Sequence, residues 1–199
     1  MTGQIEIITG PMFAGKTEEL IRRLTRVQYA GQRAIVFKPE IDNRYEQNKV
    51  CSHSGKQIDC IVTNTLNDIW EQGQNYDVIA IDEIQFLPTR DEILINQQHV
   101  EIRIDDLLNK LADMGKRIIV TGLDLDFRGK PFVNTMYIMA IAEKVDKLTA
   151  ICMQCGNLAT RSQRLIEGKP AHYLDPIIVV GAEETYEARC RKCHAVVED

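Results

Sequence analysis

The stretch Gln4-Ile5-Glu6-Ile7-Ile8-Thr9-Gly10-Pro11-Met12-Phe13-Ala14-Gly15-Lys16-Thr17 decides the fold. Its first half is an apolar run that predicts a buried strand, broken by a glycine turn. Over residues 17–30, Leu20, Ile21, Leu24 and Val27 recur at helical spacing, and Gly31 is placed to end that helix. Residues 34–37 form a second apolar run, closed by Lys38-Pro39. Strand, helix and strand in this order imply a right-handed parallel crossover, and with it an α/β sheet. Working outward, residues 76–82 and 117–121 read as further buried strands, the latter after a helix over 106–114 that Gly115 stops. At least four parallel strands are expected.

The turn in the quoted stretch, Gly10 to Thr17, fits GxxxxGK[ST] and lies where a phosphate cradle must lie, between strand and helix. Glycines let backbone N–H groups turn inward around phosphate oxygens, and the helix N-terminus adds the positive end of its dipole. In that arrangement Lys16 reaches the terminal phosphates as a mobile charge, and the Thr17 hydroxyl is a magnesium ligand. Ligands of open α/β sheets bind at the carboxyl ends of strands, and the strand at 76–82 ends in two acids, Asp82 and Glu83. Asp82 suits magnesium, which leaves Glu83 to act on a nucleophile. In a kinase that is a substrate hydroxyl and in an ATPase it is water, and the acid pair alone does not choose.

Composition narrows the classes. With 199 residues, 44% apolar and 27% charged, the chain is neither disordered nor membrane-like, and one main domain with a small appendage is expected. Glu6 precedes any stretch that could pass for a signal peptide, so a cytosolic location is expected. The net charge of −5 and the lack of a Lys/Arg block make nucleic acid a poor partner. Four of the six cysteines form two CxxC pairs, Cys152/Cys155 and Cys190/Cys193, whose four thiolates suit tetrahedral structural zinc. The chain between the pairs, residues 156–189, leaves the site as a long loop and returns to it. His194 follows Cys193 and is an alternative ligand, though the paired spacing favours Cys193. Cys51 and Cys60 read as ordinary thiols in or near a mobile polar loop over 40–55, which holds one short strand near Val50. A domain boundary falls near Thr149.

Together these parts resemble the thymidine kinase family of the kind that joins one P-loop domain to a zinc-bearing lasso. The resemblance rests on the P-loop, on Lys38-Pro39 followed by Asp42-Asn43-Arg44-Tyr45, and on Asp82-Glu83-Ile84-Gln85-Phe86. It continues through Gly122-Leu123-Asp124-Leu125-Asp126-Phe127-Arg128, both CxxC pairs, Val179-Val180-Gly181 and Tyr186. It implies a RecA-like P-loop parallel sheet over residues 1–149 and a zinc-binding lasso over 150–199 that closes on the substrate. By the same resemblance, Gly10, Pro11, Met12, Phe13, Ala14, Gly15, Lys16 and Thr17 hold ATP, assisted by Asp42, Asn43, Arg44, Asp82 and Gln85. Glu83 is the catalytic base. Met12, Phe86, Leu123, Phe127, Ser162 and Tyr186 line the pocket for the nucleoside, whose base is gripped by the main chain of Ile177, Ile178, Val179, Val180 and Gly181. Ser162 replaces a threonine common in the family and keeps the hydroxyl.

The resemblance further implies Mg-ATP-dependent phosphorylation of the thymidine 5′-hydroxyl, deoxyuridine as a second substrate, feedback by the end-product triphosphate, a role in salvage of DNA precursors, and a homotetramer. The competing class is a RecA-like ATPase that grips nucleic acid through its zinc module; a zinc scaffold with a vestigial nucleotide site is the third. Residues 87–104 are longer than the family pattern and predict a surface excursion in which His99 is a solvated loop histidine.

Overall fold

The structure, a computed structural model, describes residues 3–40, 49–51, 57–178 and 185–198. In chain order its strands begin with β1 (Gln4–Gly10), β2 (Ala34–Lys38), β3 (Lys49–Cys51), β4 (Gln57–Asp59), β5 (Ile61–Val62), β6 (Val78–Ile81), β7 (Arg90–Ile95), β8 (Gln98–Arg103), β9 (Arg117–Leu123) and β10 (Lys144–Lys147). The helices are α1 (Lys16–Tyr29), α2 (Leu66–Gly73), α3 (Ile104–Asp113) and α4 (Val133–Ile141). A six-stranded, wholly parallel sheet runs β10-β1-β9-β6-β2-β5, two strands more than the sequence reading required.

Alternation along the strands sends side chains to two faces. On one face Ile5, Ile7, Phe37, Ile79, Ile81 and Val120 pack under α2, α3 and α4; on the other Ile8, Val36, Val78, Ala80 and Ile119 pack under α1. Helix α1 forms because Leu20, Ile21, Leu24 and Val27 make one buried stripe. Glu18 and Glu19 in its first turn oppose the dipole, and Gly31 at φ +68 terminates it.

Glu6, on the α1 face of β1, is 2% exposed and anchors a charge network. Arg23 Nη1 meets Glu6 Oε2 at 2.7 Å, Arg117 Nε meets Glu6 Oε1 at 2.6 Å, and Arg23 also reaches Glu19 (2.9 Å) and Asp146 (2.5 Å). The network ties α1 to three neighbouring strands. Burial alone would raise the Glu6 carboxyl, but the paired guanidinium of Arg117 and the charge of Arg23 hold it below its ordinary value. Hydrogen bonds from Arg22 and Arg23 bring Glu19 down to about 2.

The excursion at 87–104 is an antiparallel hairpin, β7 against β8, rather than an irregular loop. Its two-residue turn is Asn96-Gln97, both at positive φ (49 and 64), the handedness that matches strand twist. Ile93 and Ile102 enter the main core, Asp91 Oδ2 accepts the Leu66 N–H at the start of α2 (2.7 Å), and Trp70 Nε1 donates to Leu94 O (3.1 Å). His99 therefore sits on a strand, its side chain 75% exposed beside Glu92, and is solvated as expected. The short strand near Val50 is β3, paired antiparallel with β4.

Beyond Lys147 the architecture changes to small antiparallel pieces: β11 (Ala150–Ile151) with β12 (Leu158–Ala159), then β14 (Lys169–Pro170), β13 (Arg161–Ile166) and β15 (Thr185–Arg189) in the order β14-β13-β15. Among the described residues no helix is long and apolar enough to cross a membrane.

Candidate functional site

Strand β1 delivers the chain to Gly10, whose φ of +143 and whose closeness to the backbone of Leu148 exclude any side chain: a Cβ there would lie 2.5 Å from Leu148 O. The turn then passes through Phe13 (φ 65) and Gly15 (φ 80), both left-handed, before α1 begins. Pro11 is buried, Ala14 and Thr17 are half-buried, and Phe13 projects into solvent. Lys16 is buried, with Nζ donating to Pro11 O at 2.9 Å, so its charge lies over the turn. The Met12 N–H donates to Ser162 Oγ (3.0 Å), which joins the cradle directly to β13.

The acid pair lies one strand removed, because β9 runs between β1 and β6. Asp82 is 4% exposed; its Oδ1 accepts from the Thr121 hydroxyl and from the Glu83 N–H (3.2 Å). Glu83 adopts φ 52, ψ 47, a left-handed conformation that costs energy in a residue with a side chain and is seen mostly where geometry matters. Gln85 holds its carboxylate, donating from Nε2 to Glu83 Oε2. The Leu123 N–H donates to Gln85 Oε1 at 3.0 Å, which fixes which end of the amide faces Glu83. Gly122 makes room for this arrangement, since a Cβ there would meet Ile84 Cγ2 at 2.7 Å and Gln85 Oε1 at 2.8 Å. Buried Asn134 on α4 donates to Ile84 O (3.1 Å) and Leu87 O (2.8 Å) and locks the short 3-10 turn Ile84–Phe86. Phe86 itself packs edge-on against Phe132, centroids 6.5 Å apart.

The four paired cysteines converge. Sγ atoms of Cys152, Cys155, Cys190 and Cys193 all lie within 4.8 Å of one another, and Cys155 and Cys190 are 3.7 Å apart. A tetrahedral zinc with Zn–S bonds of ~2.3 Å needs sulfurs about 3.8 Å apart, so the quartet fits a closed structural ion. Desolvation pushes the Cys152 thiol up, yet the backbone N–H groups of both knuckles bring it down to about 6, while hydrogen bonds with the Cys155 and Cys190 sulfurs push Cys193 up to about 12. His194 takes no part: its Nε2 is 2.8 Å from Phe127 O, and since a carbonyl only accepts, the ring carries its proton there. Desolvation lowers its pKa below the ordinary imidazole value. Cys60 is buried beneath α1, apart from the quartet.

Of the residues expected around a nucleoside, several lie on or next to β9 and β13. Phe127 is 3% exposed and Ser162 3%. Ser162 and Arg164 share one face of β13, and Tyr186 lies directly across from Arg164 in register. Leu123 is half-buried at the end of β9. Asp126 accepts from Arg128 N and Lys130 N (2.9 Å each) and from the Arg128 guanidinium, which stiffens the turn that carries Phe127. Ile177 and Ile178 are exposed and belong to no strand. Asp42, Asn43, Arg44, Val179, Val180 and Gly181 lie outside the described residues.

Sequence reasoning missed Thr121, Asn134 and Arg164, and gave Gly122 a place in a motif but no role of its own. Each matters through a neighbour brought close by the fold.

Among solved structures, the crystal structure of flagellar accessory protein FlaH from Methanocaldococcus jannaschii is similar to this chain. Sequence identity is 16%, the TM-score is 0.47, and the alignment covers 79% of this chain and 75% of that one. At the level of sequence, the family model described as thymidine kinase matches residues 3–194. That span takes in the phosphate cradle, the acid pair and the last cysteine alike, and on it the chain belongs to the thymidine kinase family, kinases that phosphorylate thymidine.

Proposed function

We propose that the protein transfers the γ-phosphoryl group of Mg-ATP to the 5′-hydroxyl of thymidine, and of deoxyuridine as a second substrate, to give the 5′-monophosphate. The observation that carries this reading is the Glu83 carboxylate, held by Gln85 at the carboxyl end of β6, one strand from the turn that carries Lys16. Lys16 and the turn's N–H groups bind the phosphates. Asp42, Asn43 and Arg44 assist in holding the nucleotide. Thr17 and Asp82 offer the hydroxyl and carboxylate oxygens that a hard cation prefers and would hold magnesium, whose charge would offset that of the transferred group. Glu83 accepts the proton of the attacking 5′-hydroxyl as the in-line displacement proceeds.

Residues 1–149 form the nucleotide-binding domain in this reading, and 150–199 form the zinc-held lasso. Met12, Phe86, Leu123, Phe127 and Tyr186 supply apolar and aromatic walls for a flat base, and Ser162 sets its hydroxyl beside it. Main-chain groups from Ile177 to Gly181 meet its polar edge, and closure there excludes water that would compete as acceptor. The enzyme works as a cytosolic homotetramer in salvage, under feedback by the end-product triphosphate.

The test is a panel of nucleosides with Mg-ATP, with single-stranded DNA as a separate arm. Thymidine is expected to be converted to its monophosphate and DNA to leave ATP hydrolysis unstimulated; the reverse pattern identifies a nucleic-acid ATPase. Glu83→Gln is expected to bind ATP normally and to lose about 10²–10⁴-fold in kcat, the usual worth of a general base. Undiminished turnover removes Glu83 from that role.

A further inference from the structure

We infer that Arg164 is a positioning residue for the nucleoside pocket, an inference that rests on the reading above in which Phe127 and Tyr186 receive the base. Arg164 belongs to no motif, yet it is among the largest fully buried side chains, 2% exposed. A guanidinium stays charged at any ordinary pH, so burying it carries a desolvation cost that an apolar side chain of similar volume would avoid. Packing alone gives no reason for a cation here.

Its surroundings do. The Arg164 guanidinium stands over the Phe127 ring, 5.3 Å from the centroid, and Arg128 stands 5.9 Å from the same ring, so two cations set the plane of one aromatic wall. Arg164 Nη1 donates to Pro176 O, the last carbonyl before Ile177. Tyr186 faces Arg164 across the β13–β15 pair, and Ser162, two residues earlier on the same face, accepts from the phosphate turn at Met12. One planar group therefore ties the aromatic wall at Phe127 to the main chain at Pro176. Lysine cannot reproduce this, because an ammonium has neither the plane to stack nor the fork to donate sideways at the same time.

The experiment is steady-state kinetics in both substrates for the wild type, Arg164→Lys and Arg164→Met, with zinc content and thermal midpoint measured on each. The expected result for Arg164→Lys is a thymidine KM raised about tenfold or more, with kcat at saturation and the ATP KM within about twofold, the signature of lost ground-state placement of one substrate. A purely architectural role would instead lower zinc content or weaken both substrates together. Either of those results in the lysine variant overturns the inference, as does a thymidine KM within about twofold of wild type. If the wild type phosphorylates no thymidine at all, the reading of the pocket falls first. If it does, and the lysine variant matches it, only the role of Arg164 falls.

Discussion

Gly122→Ala tests whether Glu83 is held in place through its neighbours. A methyl group at this position would lie 2.7 Å from Ile84 Cγ2, 2.8 Å from Gln85 Oε1 and 3.2 Å from Thr135 Oγ1. Relaxed carbon contacts lie at about 3.5–4.0 Å, so the Ile84–Gln85 segment must retreat by roughly 1 Å. That retreat opens the 3.0 Å bond from Leu123 N to Gln85 Oε1 and carries Nε2 away from the Glu83 carboxylate. Overpacking of this kind costs about 1–3 kcal/mol of stability, and in a chain of this length each kcal/mol lowers the melting midpoint by about 2–4 °C. A reacting group misplaced by about 1 Å costs on the order of 10²-fold in rate. The variant is thus expected to fold, to melt a few degrees early, and to lose kcat far out of proportion to any change in either KM. A double-mutant cycle sharpens the assay: in a Gln85→Ala background the added methyl has less left to disturb, so the losses in kcat must not add. Full additivity, or a kcat within about twofold of wild type in the folded single variant, refutes the coupling of Gly122 to Glu83.

The zinc quartet and the buried charge network give two further outcomes. Purified protein is expected to carry one zinc per chain, and Cys190→Ser, which removes a sulfur 3.7 Å from Cys155, is expected to lose both zinc and thymidine phosphorylation; full activity without bound metal contradicts a structural ion. Glu6, Glu19 and Asp146 all have carboxyls lowered by arginine partners, Glu19 to about 2, so the folded state binds fewer protons than the unfolded one. The stability they contribute is complete above the ordinary carboxylate value of about 4.5 and fades as pH falls from there toward 2. Arg23→Gln leaves Glu6 with Arg117 as its remaining arginine and is expected to cost about 3 kcal/mol at pH 7 and less near pH 2, read from denaturant titrations; a cost independent of pH rules the network out as the source.

The features legible in the sequence are those whose physics is local. A glycine turn between an apolar run and an amphipathic helix has few other uses, two acids after Val78–Ile81 mark a strand end, and two CxxC pairs pre-assemble half a metal site each. What stayed hidden depends on what lies across the sheet. Glu6 has no charged partner in its own stretch of sequence until α1 brings Arg23 over it. Arg164 follows Gln163 in a strand where a charge would ordinarily face water, and only the return of β15 and the turn at Phe127 enclose it. The hairpin was obscured because its turn, Asn96-Gln97, lacks the usual glycine, and because only Ile93 and Ile102 of its inner face are fully covered. Gln85 has a position in a motif, but its grip on Glu83 becomes visible only with Leu123 beside it.

Strand β9 behaves as a gauge block. Gly122 O takes the Thr9 hydroxyl (2.9 Å) from the β1 side, while Thr121, Gly122 and Leu123 meet Asp82 and Gln85 from the β6 side. One residue added to this strand would turn its side chains to the opposite face and unseat both neighbours at once. The hairpin that follows Phe86 is bounded instead by a free two-residue tip and could lengthen or shorten there without touching the strand ends. Chain length is therefore negotiable at the tip of the β7–β8 hairpin and fixed within β9, which tells an engineer where this enzyme will accept a graft.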